Sequence, residues 1–335
     1  MLNSKPSLIT VLILCYFQLT SIANNDPGRF HFTGGQHSVD IPFYTFNNQV
    51  ILSVLINDKV PLNFILDSGT SQALFFDRKL ATELGIGLGR RIQFSGVGSN
   101  NLVTAFRTRG VKLALPGVEG TMMGMAVLSK DYLDMKRFDI HGIIGYQLFA
   151  RFAVKINYQT RTLSLMEPDQ YKTSGFKSLP LEIKQSKPYL TTSVDLFEKQ
   201  NVDLRLLIDT GGSFGLSLIS GSHSAIRPPK QLPKVWVGAG LGGDIEGCIG
   251  KATLRMGKDL STVTEAIFVS HKKFSKKGND PEKSGSIGND LFNNYVVIFD
   301  YVNARLLLQP HSPTYHTGNY QLPAEEDQAP STDSR

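Results

Sequence analysis

Two cysteines and a single tryptophan are all that 335 residues supply of either type. One of the cysteines, Cys15, sits inside an apolar N-terminal run, which leaves Cys248 alone in the remainder. A chain with one thiol cannot form an internal disulfide, so its stability has to come from core packing. No cysteine pair and no His-x-x-x-His spacing is present, so no zinc motif can be read. Long apolar stretches are scarce as well. The longest runs from about Leu8 to Leu19, too short for a comfortable membrane span. Helical apolar spacing is rare, and no basic run is interleaved with aromatics, which removes the usual footprint of a nucleic-acid surface. Lys272, Lys273, Lys276 and Lys277 form the densest basic cluster and read as a solvated loop.

The N-terminal run has other features. Lys5 precedes it, and Ser21-Ile22-Ala23 comes after it, with small residues where a signal peptidase needs them. Residues 1–23 therefore read as a secretory signal peptide, cut after Ala23, and the protein as secreted or periplasmic. An uncleaved anchor is the alternative. The rest is rich in glycine, 31 in all, set beside Val, Ile, Leu and Phe runs. With 41% hydrophobic and 19% charged residues, this favours a folded, mostly β protein of one large domain or two close lobes.

The chain is written twice. An apolar run ends in Asp67-Ser68-Gly69-Thr70, and a second ends in Asp209-Thr210-Gly211-Gly212. Downstream, Gly142-Ile143-Ile144-Gly145 is matched by Gly285-Ser286-Ile287-Gly288. The match continues through Phe149 with Phe292, Phe152 with Tyr295, Val154 with Val297, Ile156 with Phe299 and Tyr158 with Tyr301. Asp67 stands 78 positions before Gly145, and Asp209 stands 79 before Gly288. Two blocks at nearly the same separation, twice, indicate an internal duplication. Val50–Ile56 and Tyr189–Leu196 read as entry strands, and Asp77 to Leu84 as a short helix capped by Asp77.

A single Asp-x-Gly after a strand is usually a turn. A pair at equivalent positions of a duplication means more, because equivalent residues near a pseudo-twofold axis meet. Two carboxylates meeting there share a proton, and their pKa values split. The ionised one can take a proton from water while the protonated one donates to a carbonyl oxygen, which is general acid–base attack on an amide. Ser68 and Thr210 could bond across the axis, and Gly69 and Gly211 permit close approach. Gly145 and Gly288 suit a strand passing behind each Asp loop. Thr70 could donate to the Asp67 carboxylate where Gly212 cannot serve Asp209, so Asp67 is expected to be the better stabilised anion.

These motifs, with Val39-Asp40-Ile41-Pro42-Phe43 and Val60-Pro61-Leu62-Asn63-Phe64 leading into Asp67, resemble the aspartic peptidases of pepsin and retropepsin type. The sequence looks like the bacterial aspartyl protease family proteins with a retropepsin-like module, over about residues 39–310. The resemblance implies an all-β, pepsin-like bilobal fold (acid protease type) made of two retropepsin-like β-barrel halves. It implies catalytic roles for Asp67 and Asp209, supporting roles for Ser68, Gly69, Thr70, Thr210, Gly211 and Gly212, and a β-hairpin flap from each half. The flap candidates are Gly96, Val97 and Gly98 in the first half and Gly240, Leu241 and Gly242 in the second. The second segment also spells G-x-G-x-x-G, but Asp244-Ile245-Glu246-Gly247 directly after it does not open a helix, so a dinucleotide site is rejected.

The expected organisation is a signal at 1–23, an N-terminal segment at 24–38, lobes at 39–168 and 181–310, a connector at 169–180, and a polar, disordered tail at 311–335. The expected activity is aspartic endopeptidase, as a monomer acting on peptide or protein without metal or other cofactor, nucleic acid or stable membrane anchor. A catalytically silent pepsin-fold protein that binds peptides or other ligands is the alternative. His141 and Trp236 are read as an idle loop histidine and a packed strand residue.

Overall fold

The computed structural model describes residues 30–98, 102–122, 124–197, 199–257, 260–270 and 282–311. The expected signal peptide, most of the polar tail and the lysine cluster lie outside the described residues. No described helix is long and apolar enough to cross a membrane.

The described chain is almost entirely β, with three short α-helices and one 3-10 turn among its strands. The expected helix spans Arg78–Glu83, and Asp77 caps it by accepting from the Leu80 N–H at 3.0 Å. The duplication is visible in the strand pairings. In the first half, Gln49–Ile56 pairs antiparallel with Val60–Leu66, which runs parallel to Gly142–Ile144, which in turn pairs antiparallel with Leu74–Phe75. In the second half, Lys187–Leu196, Lys199–Asp209, Gly285–Gly288 and Leu216–Ser220 repeat that order and those directions. The cross-strand partners are equivalent as well: Phe64 faces Gly142 and Leu206 faces Gly285.

The halves join through a six-stranded sheet whose central pair is Ala153–Asn157 against Tyr295–Asp300. Val154 pairs with Phe299 and Ile156 with Val297. Sequence equivalents thus exchange partners, as a twofold axis through this pair requires. The expected connector contributes to the same sheet. It is irregular up to Phe176, and then Lys177–Pro180 pairs with Arg305–Pro310. Ser38–Pro42 adds the other edge by pairing with Thr162–Met166. Above the sheet lies an aromatic stack, with Phe149 5.2 Å from Tyr301 and 5.3 Å from Phe299, and Phe292 5.9 Å from Phe299. Tyr301 in this stack reaches the first Asp loop through its hydroxyl, which donates to the Ser68 carbonyl.

Candidate active site

Asp67 follows the last residue of strand Val60–Leu66, and Asp209 ends strand Lys199–Asp209. Both side chains are buried, at 0% and 1% exposure. A Cβ on Gly211 would lie 2.5 Å from the Asp67 carboxyl carbon, and one on Gly69 would lie 3.0 Å from that of Asp209. Each carboxyl therefore rests on the glycine of the opposite loop, and the Asp67 carboxyl accepts from the Gly69 N–H at 2.7 Å.

The loops are tied to each other by four bonds across the axis. The Ser68 N–H donates to the Thr210 hydroxyl at 2.9 Å, and the Thr210 N–H donates to the Ser68 hydroxyl at 3.0 Å. The Ser68 hydroxyl donates to the Ile208 carbonyl at 2.9 Å, and the Thr210 hydroxyl to the Leu66 carbonyl at 2.8 Å. Both hydroxyls are used as donor and as acceptor at once. Behind the first loop, a Cβ on Gly145 would strike the Asp67 carbonyl oxygen, so only glycine allows the following strand to pass there. The Tyr301 hydroxyl donates to the Ser68 carbonyl at 3.2 Å from below.

Thr70 does not behave as expected. Its hydroxyl donates to the Gln72 carbonyl at 2.9 Å. A hydroxyl has one proton to give, so Thr70 does not stabilise an Asp67 anion, and the expected order of the two acids loses its basis. Burial drives both carboxyls upward. Asp67 is raised well above the ordinary carboxylate range, first by desolvation and then by the negative charge of Asp209. Asp209 is pushed up to about 6 by desolvation, moderated by the cations of Lys283 and Lys187. Two buried acids this close favour one shared proton over two negative charges.

The glycine-rich segments form opposing hairpin tips. Gly96, Val97 and Gly98 follow strand Arg91–Ser95, and Leu241 and Gly242 turn between Val235–Gly240 and Gly243–Arg255. The G-x-G-x-x-G stretch is therefore a hairpin. The Gly242 N–H donates to the Val97 carbonyl at 2.8 Å. Val97 is buried with second-lobe residues including Tyr189, Leu207 and Phe214, while Leu241 is buried with first-lobe residues including Ile51, Ile65 and Phe94. Each tip is thus lodged in the opposite lobe. Gly98 holds φ at +134°, a conformation that favours glycine.

Residues 52–148 match the family model described as aspartyl protease. That stretch, most of the first lobe, is similar to an aspartyl protease. The matched stretch contains Asp67, Ser68, Gly69, the first hairpin tip and Gly145, and it stops before the second lobe. No curated protein matches the chain. Asp209 lies outside the matched stretch, and the duplicated strand order brings it to Asp67.

Gly288 lies behind the second loop as Gly145 does behind the first, where its N–H donates to the Gly215 carbonyl at 3.0 Å. The Gly212 N–H donates to the Asp209 carbonyl at 3.1 Å. His141 is half-buried beside Asp139, and burial lowers its pKa. Trp236 is not packed as expected. It is exposed on the second hairpin and donates to Asp244 at 3.0 Å. Three residues near the dyad escaped the motif reading. Continuing the Ile51–Ile65 register sets Gln49 opposite Asp67, where its amide donates to the Gly211 carbonyl. Continuing the Tyr189–Leu207 register sets Lys187 opposite Asp209. Lys283 occupies the place of Ile140, two residues before the paired glycines Gly142 and Gly285. Extending the repeat by two residues past its motif would have found it.

Proposed function

We propose that the protein is an aspartic endopeptidase in which Asp67 and Asp209 activate a water between them. The observation that carries this reading is the pair of buried carboxyls, each seated on the other loop's glycine and locked by reciprocal Ser68 and Thr210 bonds. A low-dielectric pair of acids one proton apart can work as acid and base in the same step. Asp209, the anion, takes the proton of the attacking water. Asp67, protonated, donates to the carbonyl oxygen of the scissile amide. The tetrahedral diol that forms then collapses, with the amine leaving as it gains a proton from the dyad.

The substrate enters only if the hairpin tips part, since in the closed arrangement both carboxyls are shut from solvent. Withdrawal of Val97 and Leu241 from the opposite lobes opens the site, and their return over a peptide excludes water. One chain holds both carboxylates, which supports activity as a monomer. The signal-like pattern ending at Ala23 supports action in the periplasm or outside the cell.

The test is cleavage of a diverse peptide mixture by the chain starting at Asn24, between pH 3 and pH 8. Loss of all cleavage in both Asp67→Asn and Asp209→Asn is expected. Cleavage surviving in both variants removes the dyad from the mechanism. Peptide complexes formed without new termini would mark a binding protein instead.

A further inference from the structure

One strand side chain links the pocket that holds Leu241 to the loop that follows Asp209. Along Gln49–Ile56, successive residues take opposite faces. Val50, Leu52, Val54 and Ile56 join the main core, whereas Ile51 belongs to the cluster that buries Leu241. Gln49 shares the face of Ile51, and Phe46, its partner across the hairpin, packs against the same cluster. Gln49 is fully buried, and its amide N–H donates to the carbonyl of Gly211, the glycine on which the Asp67 carboxyl rests.

The other end of this carboxamide is unspent. Among the described residues nothing donates to the buried Gln49 Oε1. A buried acceptor without a donor is costly, and such atoms call for an explanation. Turning the carboxamide over does not help, because it would set the oxygen against the Gly211 carbonyl. One oxygen of Asp67 and both of Asp209 are buried without a partner as well. The site therefore has acceptors in surplus and is short of donors. A peptide main chain supplies one N–H per residue, except at proline.

We propose that Gln49 is a substrate-binding residue, whose Oε1 accepts a backbone N–H of the peptide in the cleft while its Nε2 keeps hold of Gly211. When the second hairpin withdraws Leu241, a peptide residue takes its place beside Phe46 and Ile51 and brings its main chain past Gln49. The bond to Gly211 fixes the carboxamide before the peptide arrives, so little side-chain freedom is lost on binding. Because the contact reads an N–H, proline is refused at that one position whatever the side chains around it. The inference rests on the endopeptidase reading for the path of the peptide between the lobes, whereas the N–H contact shows in binding alone.

The test uses acetylated hexapeptides with leucine at the two central positions, since Leu241 shows that the pocket accepts leucine. Their central amide is reduced to a methylene-amine, so that they bind without turnover. Each remaining backbone amide is replaced in turn by an ester, which deletes one N–H, and binding is measured by calorimetry. A buried acceptor left unpaired predicts binding about tenfold weaker, or more, at one position in the wild type. Gln49→Met keeps the length but cannot accept, so at that position its amide-to-ester ratio should fall close to one. Gln49→Glu keeps an acceptor and should retain the preference. The weaker carbonyl of an ester is common to all three proteins and cancels in the comparison. A wild-type scan within about twofold at every position overturns the proposal without any variant, as does failure of the wild type to bind any of these peptides. A Gln49 that only holds Gly211 would weaken every peptide by the same factor in Gln49→Met and leave each ratio at its wild-type value, which also overturns it. Cleavage of ordinary peptides by the wild type, lost in Asp67→Asn, reports separately on the endopeptidase reading.

Discussion

Thr210→Val separates the joint between the lobes from the chemistry it supports. The change keeps the side-chain volume and β-branching but deletes one oxygen. That oxygen accepts from the Ser68 N–H at 2.9 Å and donates to the Leu66 carbonyl at 2.8 Å, both in the fully buried loop. The Ser68 N–H loses its partner where no water reaches, at about 1–3 kcal/mol, and the lost bond to Leu66 adds about 1 kcal/mol. The sum, about 2–4 kcal/mol, is a large part of the roughly 5–15 kcal/mol that holds a folded domain together. At about 2–4 °C per kcal/mol for a chain of this size, the melting temperature should fall by about 5–15 °C. Thr210→Ser keeps the oxygen and should stay near wild type. Ser68→Ala removes the mirror bonds, to the Thr210 N–H and the Ile208 carbonyl, and should cost a similar amount. The double variant should cost less than the sum, because the first loss already loosens the pair of loops that the second hydroxyl holds. Thermal and urea unfolding measure all of this. A Thr210→Val protein within about 0.5 kcal/mol of wild type would refute the argument that these bonds secure the interface.

Three other outcomes are expected. Desolvation raises Asp67 above its unfolded value, so the folded state holds its proton more tightly, and stability is lost as pH rises from the unfolded carboxylate range through the folded pKa. Asp67→Asn, neutral at every pH, should therefore be more stable than wild type at pH 7 and lose that advantage near pH 3, as read by urea unfolding at both pH values. Cleavage should fail as Asp209 protonates below about pH 6, and Lys283→Met, by removing the first charge that holds Asp209 down, should move this acid limb to higher pH in a kcat/KM profile. Leu241→Ala empties the place of one tip in the first-lobe cluster, so amide exchange at 96–98 should speed up and kcat/KM for peptides should fall as the closed state is populated less.

The duplication was legible because both copies keep the residues that backbone geometry will not release. Gly145 cannot bear a Cβ against the Asp67 carbonyl, and Ser68 and Thr210 must both carry a hydroxyl for the reciprocal bonds to close. Such constraints are local and leave short motifs at fixed spacing, so the all-β halves and the meeting of the two aspartates could be read directly. The direction of the Thr70 hydroxyl could not. Both Asp67 and the Gln72 carbonyl are within a few residues of it, and only the turn decides which one accepts. Trp236 misled for a similar reason, since an apolar run in a hairpin that extends past the barrel has an outer face with nothing to cover it. The connector's second role was hidden too. Lys177–Pro180 is short and half polar, and its strand form comes from a partner, Arg305–Pro310, more than a hundred residues away.

The differences between the copies carry as much functional information as the matches. A strict twofold would make the two carboxyls equivalent and leave the proton no preferred side. Three exchanges break that equivalence, all on the second-lobe side: Gln49 becomes Lys187, Ile140 becomes Lys283, and the Leu74–Ile143 pair becomes Ser217–Ser286. None is needed for the second barrel to pack, because the first barrel packs with the apolar set. Lys283 and Lys187 oppose the rise that burial imposes on Asp209, so the surroundings of the two acids are chemically unlike. The same exchanges place polar side chains in the second lobe where the first lobe has an apolar set.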